Sequence, residues 1–534
     1  MKRSILLAAG ALGALAASPA AARDRARTQV TPYIELGQVL TADLQSGDVL
    51  TYSTVTAGID ATVQTRTVEL QLSYQYQRNI SWDKDVGDDD IHSGLARAAV
   101  RVAPGLSIEG GALATRARSD IRGAAPVVLS ANDQNISQVY SAYVGPTYTG
   151  NLGAASVGAS YRFGYTKVEA PGSTGVLPGS PPLDTFDDSK SHLAQASIGV
   201  KPGTVLPIGL TASAAYERDD AGQLDQRYEG KYGRADAVLP VSGTLALAAG
   251  VGYEKITTSQ RAALVDSTGQ PVVDADGRFV TDKSAPRRIA YETDGLIYDA
   301  GVLWRPSPRT FLEARVGKRY GGTTYIGSFS YAASDSLGMR IGVYDSVQTF
   351  GRQLRDGISQ LPSSFIDQRD TFGQQFSGCT FGQSSEQAGG CLNSVFQSIS
   401  SSSYRARGVD GVIGVNRGPI SFGAGIGYAN RRFYSPPGTS YSIVGVTDES
   451  YYAQAYFNAT LDRNSGINTD VFANYYESGL GTQPGITSLG ATGLYYRNFG
   501  RIGTTASLGL YNFSQEGADD QTSAQAQVGV RYSF

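Results

Sequence analysis

Two histidines, two cysteines, two methionines and two tryptophans are all that 534 residues hold of those types, and 17% of the residues are charged. So little histidine leaves few sites for general-base or nucleophile-activating chemistry. No zinc pattern, phosphate loop or dinucleotide fingerprint occurs. Beyond the first twenty residues no apolar run approaches the roughly 18 residues of a membrane-spanning helix. No basic run appears either, and the formal charge is −3, which argues against nucleic acid as a partner.

What the chain does have is glycine, 65 residues, and tyrosine, 32 residues, the former well above ordinary usage of about 7%. Its N-terminus reads as an export signal. Lys2 and Arg3 supply the charge, Ile5 to Ala17 the apolar core, and Ser18-Pro19-Ala20-Ala21-Ala22 the small-residue cleavage site. Cleavage after Ala22 would leave residues 23–534 as a single domain, and losing Lys2 and Arg3 would move the charge from −3 to −5. A strand begins almost at once, near Val30-Thr31-Pro32-Tyr33, with no room for a separate domain before it.

From there one rhythm runs to the end. Val68, Leu70, Leu72, Tyr74 and Tyr76 alternate with Glu69, Gln71, Ser73, Gln75 and Gln77. Side chains on a strand alternate faces, and about 9–11 residues make one tilted membrane crossing. Similar segments recur about 22 times (range 18–24), with starts near residues 29, 50, 68, 92, 106, 138, 154, 191, 208, 226, 244, 289, 310, 323, 337, 403, 420, 450, 467, 488, 502 and 521. Even-numbered segments end in tight turns such as Ala103-Pro104-Gly105, Lys201-Pro202-Gly203 and Arg417-Gly418-Pro419. The long connectors, 79–91, 118–136, 168–190, 258–288, 351–402 and 434–449, follow odd-numbered ones. Short turns on one side and long loops on the other predict an all-β protein, a closed antiparallel transmembrane β-barrel with periplasmic turns and extracellular loops. Mean hydropathy is −0.20, as expected where oil-facing side chains are every second residue.

The last strand, Gln521 to Phe534, places Ala524, Ala526, Val528, Val530, Tyr532 and Phe534 on one face and ends on an aromatic residue. This segment resembles the C-terminal signature of bacterial outer-membrane β-barrels. The resemblance implies that Val528, Val530, Tyr532 and Phe534 are read by the barrel-assembly machinery. It also implies an environment of outer-membrane lipid and lipopolysaccharide.

Projecting the alternation inward gives a charged, hydrated lumen lined by Glu69, Arg97, Arg101, Asp299, Glu313, Arg315, Arg319, Arg340, Gln525, Gln527 and Arg531. A lipid-facing Arg or Lys at mid-bilayer costs about 2–4 kcal/mol, so parity against apolar neighbours assigns the faces. The longest connector carries Phe365, Phe372, Phe376, Phe381 and Phe396, together with Cys379 and Cys391. In an exported chain two cysteines so close read as a disulfide. A barrel of this size has a lumen that needs obstruction, so this segment, or 258–288, is expected to fold inward or cap the mouth.

Three functions are weighed. The first is passage of polar solute, or export of a saccharide polymer, with no enzyme chemistry, cofactor or metal. The second is a surface-binding barrel using loops 258–288 and 351–402. The third is a rim hydrolase built on His92 and His192, each preceded by an acidic run. Asp274-Ala275-Asp276-Gly277 looks like a fragment of a calcium loop but lacks the third acidic ligand and the closing Glu. The hairpin Leu303-Trp304-Arg305-Pro306-Ser307-Pro308-Arg309-Thr310-Phe311 with Arg319-Tyr320-Gly321-Gly322 resembles the β-barrel porin 2 group, whose members accompany exopolysaccharide and exosortase loci. That resemblance implies a saccharide polymer as partner.

Overall fold

The computed structural model describes all residues except 1–26, 84–87, 119–135, 170–185, 275–277, 367–369, 373–377, 385–386, 398, 439–444, 480–484 and 518. The signal-peptide reading and the acidic tip of loop 79–91 therefore lie wholly or partly outside the described residues.

The first strands are β1 (Arg27–Asp43), β2 (Val49–Gln64), β3 (Val68–Ser81), β4 (Asp89–Ala103), β5 (Leu106–Arg118), β6 (Ile136–Leu152), β7 (Ala155–Glu169) and β8 (Asp188–Val200). They continue with β9 (Gly209–Ala221), β10 (Gln226–Pro240), β11 (Leu245–Gln260), β12 (Arg288–Ser307), β13 (Thr310–Arg319), β14 (Gly322–Ser334) and β15 (Leu337–Gln348). Next comes a segment with helix α1 (Phe350–Gln360), short strands β16 (Phe365–Ile366), β17 (Cys379–Ser384) and β18 (Gln387–Cys391), and helix α2 (Asn393–Phe396). The remaining strands are β19 (Tyr404–Arg417), β20 (Ile420–Phe433), β21 (Thr447–Thr460), β22 (Ser465–Ser478), β23 (Ile486–Phe499), β24 (Ile502–Gln515) and β25 (Gln521–Ser533).

All but β16–β18 belong to one 22-stranded antiparallel sheet in which sequence neighbours pair, β15 pairing with β19 across the intervening segment. β1 pairs with β25 from Tyr33↔Ser533 to Asp43↔Ser523, so the sheet closes on itself. Closure gives every strand two partners, which is what hydrocarbon demands of a sheet. The starts read from the alternation fall within three residues of those observed, because lipid on one face holds the period at two.

The outward parity is apolar and bare, as at Ile426, Leu296, Leu508 and Val528. Among the described residues no helix is long and apolar enough to cross a membrane. Two-residue turns such as 104–105 and 418–419 close one end of the barrel, with Gly105 (φ 76°) and Gly418 (φ 62°) in the left-handed region. Lys201-Pro202-Gly203 differs: it opens a connector running over 201–208, where Val205 and Leu206 are exposed. At the other end, the connector after β11 folds on itself through the bridges Ala263↔Thr281, Val265↔Pro271 and Val273↔Phe279. Arg261 and Arg287 tie it to Asp225 at the β9–β10 turn. It is the segment between β15 and β19 that enters the barrel.

Candidate functional site: the occupied lumen

α1 starts where Thr349 accepts a hydrogen bond from the Arg352 N–H, an N-cap. Its Phe350, Leu354 and Ile358 are fully buried. They pack on Leu95, Leu113, Ala117, Val139, Tyr143 and Val168, which face inward from β4–β7. Leu361, Phe365, Leu392, Val395, Phe396 and Ile399 continue the same core. This part of the inner wall is therefore apolar and dry, against the expectation of a uniformly hydrated lumen. The signal was present: these apolar residues sit at the parity that elsewhere faces water.

The wall is also shaped to the plug. A Cβ on Gly111 of β5 would lie 2.7 Å from Ile358 Cγ2, and one on Gly164 of β7 3.1 Å from Arg355 Cδ. One on Gly425 of β20 would lie 2.3 Å from Cys379 Sγ, and one on Gly509 of β24 2.7 Å from Phe372. These strands lie far apart around the ring, so the segment is held on several sides.

Polar contacts fix it further. Gln71 makes a two-way clasp with the Phe365 backbone, donating from Nε2 at 2.7 Å and accepting at 2.7 Å. Gln454 Oε1 accepts from the Cys379 N–H at 2.8 Å, and Tyr511 donates to Asp370 at 2.8 Å. Cys379 and Cys391 form a disulfide across the β17–β18 pair. Phe381 packs tilted against Tyr456, and Phe372 meets Tyr511 edge-on. Phe376 lies outside the described residues.

A charged attachment is made at Glu217 of β9, whose carboxylate accepts from both Arg352 and Arg355 of α1. Arg352 also lies 3.6 Å from the Tyr228 ring centroid, and Asp219 accepts from the Thr349 hydroxyl at 2.6 Å. Burial works against charge on both guanidinium groups. The neighbouring carboxylates outweigh it, Glu217 for Arg352 and Asp356 with Glu217 for Arg355, and hold both above their ordinary values. Neither Arg352, Arg355 nor Glu217 was singled out from the sequence, because pairing across so long a separation leaves no local pattern.

The residues read from the sequence as lining the lumen fall into groups. Asp299, Glu313 and Arg315 join Arg234 and Asp236 in one ion cluster, with Arg234–Asp236 at 2.6 Å, Arg315–Asp236 at 2.8 Å and Arg315–Glu313 at 2.6 Å. Arg319 pairs with Glu254 at 2.7 Å. Glu69 accepts from Ser363 at 3.0 Å, Arg97 donates to the carbonyls of Leu361 and Ser359, and Arg340 reaches Gln360. Arg531 pairs with Glu35 across the β1–β25 seam at 2.8 Å. Gln527 and Arg531 line a polar pocket of about 160 Å³ on the far side of the plug. Gln525 is buried on the same strand, and Arg101 is exposed near the β4–β5 turn.

Below the plug, at the short-turn end, a cavity of about 810 Å³ spans from β3–β5 to β12–β15. Its roof is the plug stretch Ser359 to Ser363 with Ala388 and Gly389.

The two histidines lie elsewhere. His92 and His192 share the outward parity of β4 and β8, and each Nδ1 meets a tyrosine hydroxyl at 2.7 Å, that of Tyr74 and of Tyr161. Tyr76, Tyr140 and Phe163 surround them, an aromatic environment of the kind found at a lipid–water interface. Among the described residues no His/Cys/Asp/Glu group could hold a metal.

A closed ring with a bare apolar outside, short turns at one end and a loop folded into the lumen defines a transmembrane β-barrel of the bacterial outer membrane. No protein-family model and no curated protein matches the chain. Among solved structures the chain is similar to the FrpB iron transporter from Neisseria meningitidis, at 10% identity and TM-score 0.43, covering 94% of this chain and 82% of that one. It is similar to the ferric-catecholate import receptor Fiu from E. coli K12 at 9% identity and TM-score 0.44, covering 94% and 81%. It is also similar to the siderophore receptor PirA from Acinetobacter baumannii at 9% identity and TM-score 0.38, covering 96% and 81%. At such values the likeness carries nothing about substrate.

Proposed function

We propose that this barrel is an outer-membrane passage for small polar solutes, obstructed by the segment 349–403 and performing no chemical step. The observation that carries the reading is the seating of that segment: it is bonded to the inner wall yet leaves a polar pocket of about 160 Å³ and a cavity of about 810 Å³ beside and below it. The larger of the two, about 810 Å³, is of a size that suits a single small molecule. Selection would follow from width and lumen charge, with Glu69, Arg97, Arg340, Gln527 and Arg531 lining the two spaces. Lipid and lipopolysaccharide would surround the barrel, and the assembly machinery would read Val528, Val530, Tyr532 and Phe534.

The test is conductance in planar bilayers of the full chain and of a variant lacking 362–398. The full chain should conduct weakly, and the deletion should open it several-fold. A deletion variant that inserts but never conducts overturns the reading and favours a surface-binding barrel. Export of a saccharide polymer is the second reading, favoured by the 303–322 hairpin. It requires the plug to leave the lumen, since neither space admits a polymer chain.

A further inference from the structure

The cavity beneath the plug has walls of unlike charge. From β12, β15 and the β12–β13 turn come Arg305, Arg340 and Arg309, with Asp335 of the β14–β15 turn as the acid among its lining residues on that side. From the opposite wall come Glu69, Glu109 and Arg97. Three other lumen arginines, Arg234, Arg315 and Arg319, have carboxylates within salt-bridge distance. Those of the first wall are engaged otherwise: Arg305 lies over the Phe311 ring, Arg309 donates to the Ala333 carbonyl, and Arg340 donates to Gln360. None of the three has a carboxylate within salt-bridge distance among the described residues. Across the cavity Arg97 is 8% exposed, and its Nη1 donates to nothing in the described structure although its Nε and Nη2 hold the plug. A guanidinium pairs best with a planar or tetrahedral oxyanion, and the volume lies within the roughly 300–1,000 Å³ of small-molecule sites. Glu69, Glu109 and the amide of Gln360 offer acceptors for hydroxyl groups.

We infer that this vestibule binds a small hydroxylated anion, of the class of sugar acids and sugar phosphates. The oxyanion would sit on Arg305, Arg309 and Arg340, and the hydroxyls would face Glu69 and Glu109. This rests on the passage reading and names its solute class.

The test is calorimetric binding of gluconate, glucose 6-phosphate and glucose to the detergent-solubilised full chain, beside the variant R305Q/R309Q/R340Q and its R305K/R309K/R340K counterpart. The structure predicts binding of at least one anion and none of glucose. The glutamine variant should lose affinity by about tenfold or more, on the scale of charge-assisted hydrogen bonds, and the lysine variant should recover part of it. Which anion binds separates carboxylate from phosphate recognition. The three side chains are partly exposed and clear of the apolar core, so the variants should keep the wild-type circular dichroism. No binding of either anion, equal binding of glucose, or unchanged affinity in the glutamine variant overturns the inference. Conductance without anion binding removes this site and leaves the passage. Anion binding by a chain that never conducts supports the site and removes the passage.

Discussion

At Glu217 one carboxylate faces two buried guanidinium groups, so its loss would leave Arg352 without its salt-bridge partner and Arg355 with Asp356 alone. Removing one partner of a buried ion pair costs about 3–5 kcal/mol. Glu217→Gln is expected to free α1 from the wall while the ring stays closed. Limited proteolysis should then cut within 349–403 much faster than in wild type, with unchanged heat-modifiable migration on gels. Unaltered cleavage would mean that the apolar face of α1 alone holds the plug. Gly425 tests the opposite side of the lumen. A valine there would collide with Cys379 Sγ, and overpacking of this kind costs about 1–3 kcal/mol. Gly425→Val should raise conductance by displacing β17, and a variant with wild-type conductance would show that the contact has slack.

Among the elements, the plug is built from parts too short to be stable alone. β16 has two residues, and α2 spans Asn393–Phe396. The disulfide closes a loop of separation 12, and a loop of that length removes about 3 kcal/mol of chain entropy from the loosened state. Reduction, or a Cys379→Ser/Cys391→Ser variant, is expected to increase hydrogen exchange in 365–396 selectively, leaving β3 and β20 protected. Equal loss of protection in the barrel strands would contradict a plug that opens as its own unit. The β13–β14 hairpin, with Tyr320 at φ 54° and Gly321 at φ 73°, is a two-residue connection at the long-loop end.

For the whole molecule the decisive contact is the seam. Leu36 lies opposite Val530, and Arg531 binds Glu35 while stacking at 4.0 Å on Tyr33. A Leu36→Cys/Val530→Cys pair should oxidise to a cross-link that joins the first and last strands, seen as altered migration of the unfolded chain under non-reducing conditions. A pair that stays reduced in the folded protein would rule out closure between β1 and β25. Because every edge is paired, the exposed apolar side chains face lipid rather than another sheet.

Much of this was legible along the chain. The strands of the ring, their even number and the asymmetry of their connectors follow from local alternation, since a membrane on one side imposes a period of two wherever the wall runs. Cys379 and Cys391 could be paired for a similar reason, being close in sequence and exported. The hairpin turns at 104–105 and 418–419 announced themselves through glycine, and Lys201-Pro202-Gly203 marked where the 201–208 connector begins without giving its length.

The occupant of the lumen was not decided by the sequence. Leu95, Leu113, Val139, Tyr143 and Val168 stand where water was expected, and Gly111, Gly164, Gly425 and Gly509 leave room for something unnamed. Only when the ring closes do β9 and α1 meet so that Glu217 faces Arg352 and Arg355. Alternation is a property of neighbours along one strand, and the sequence carries it whole. The fit of a loop to a wall depends on strands brought together from distant parts of the chain, and that exists only once the barrel is formed.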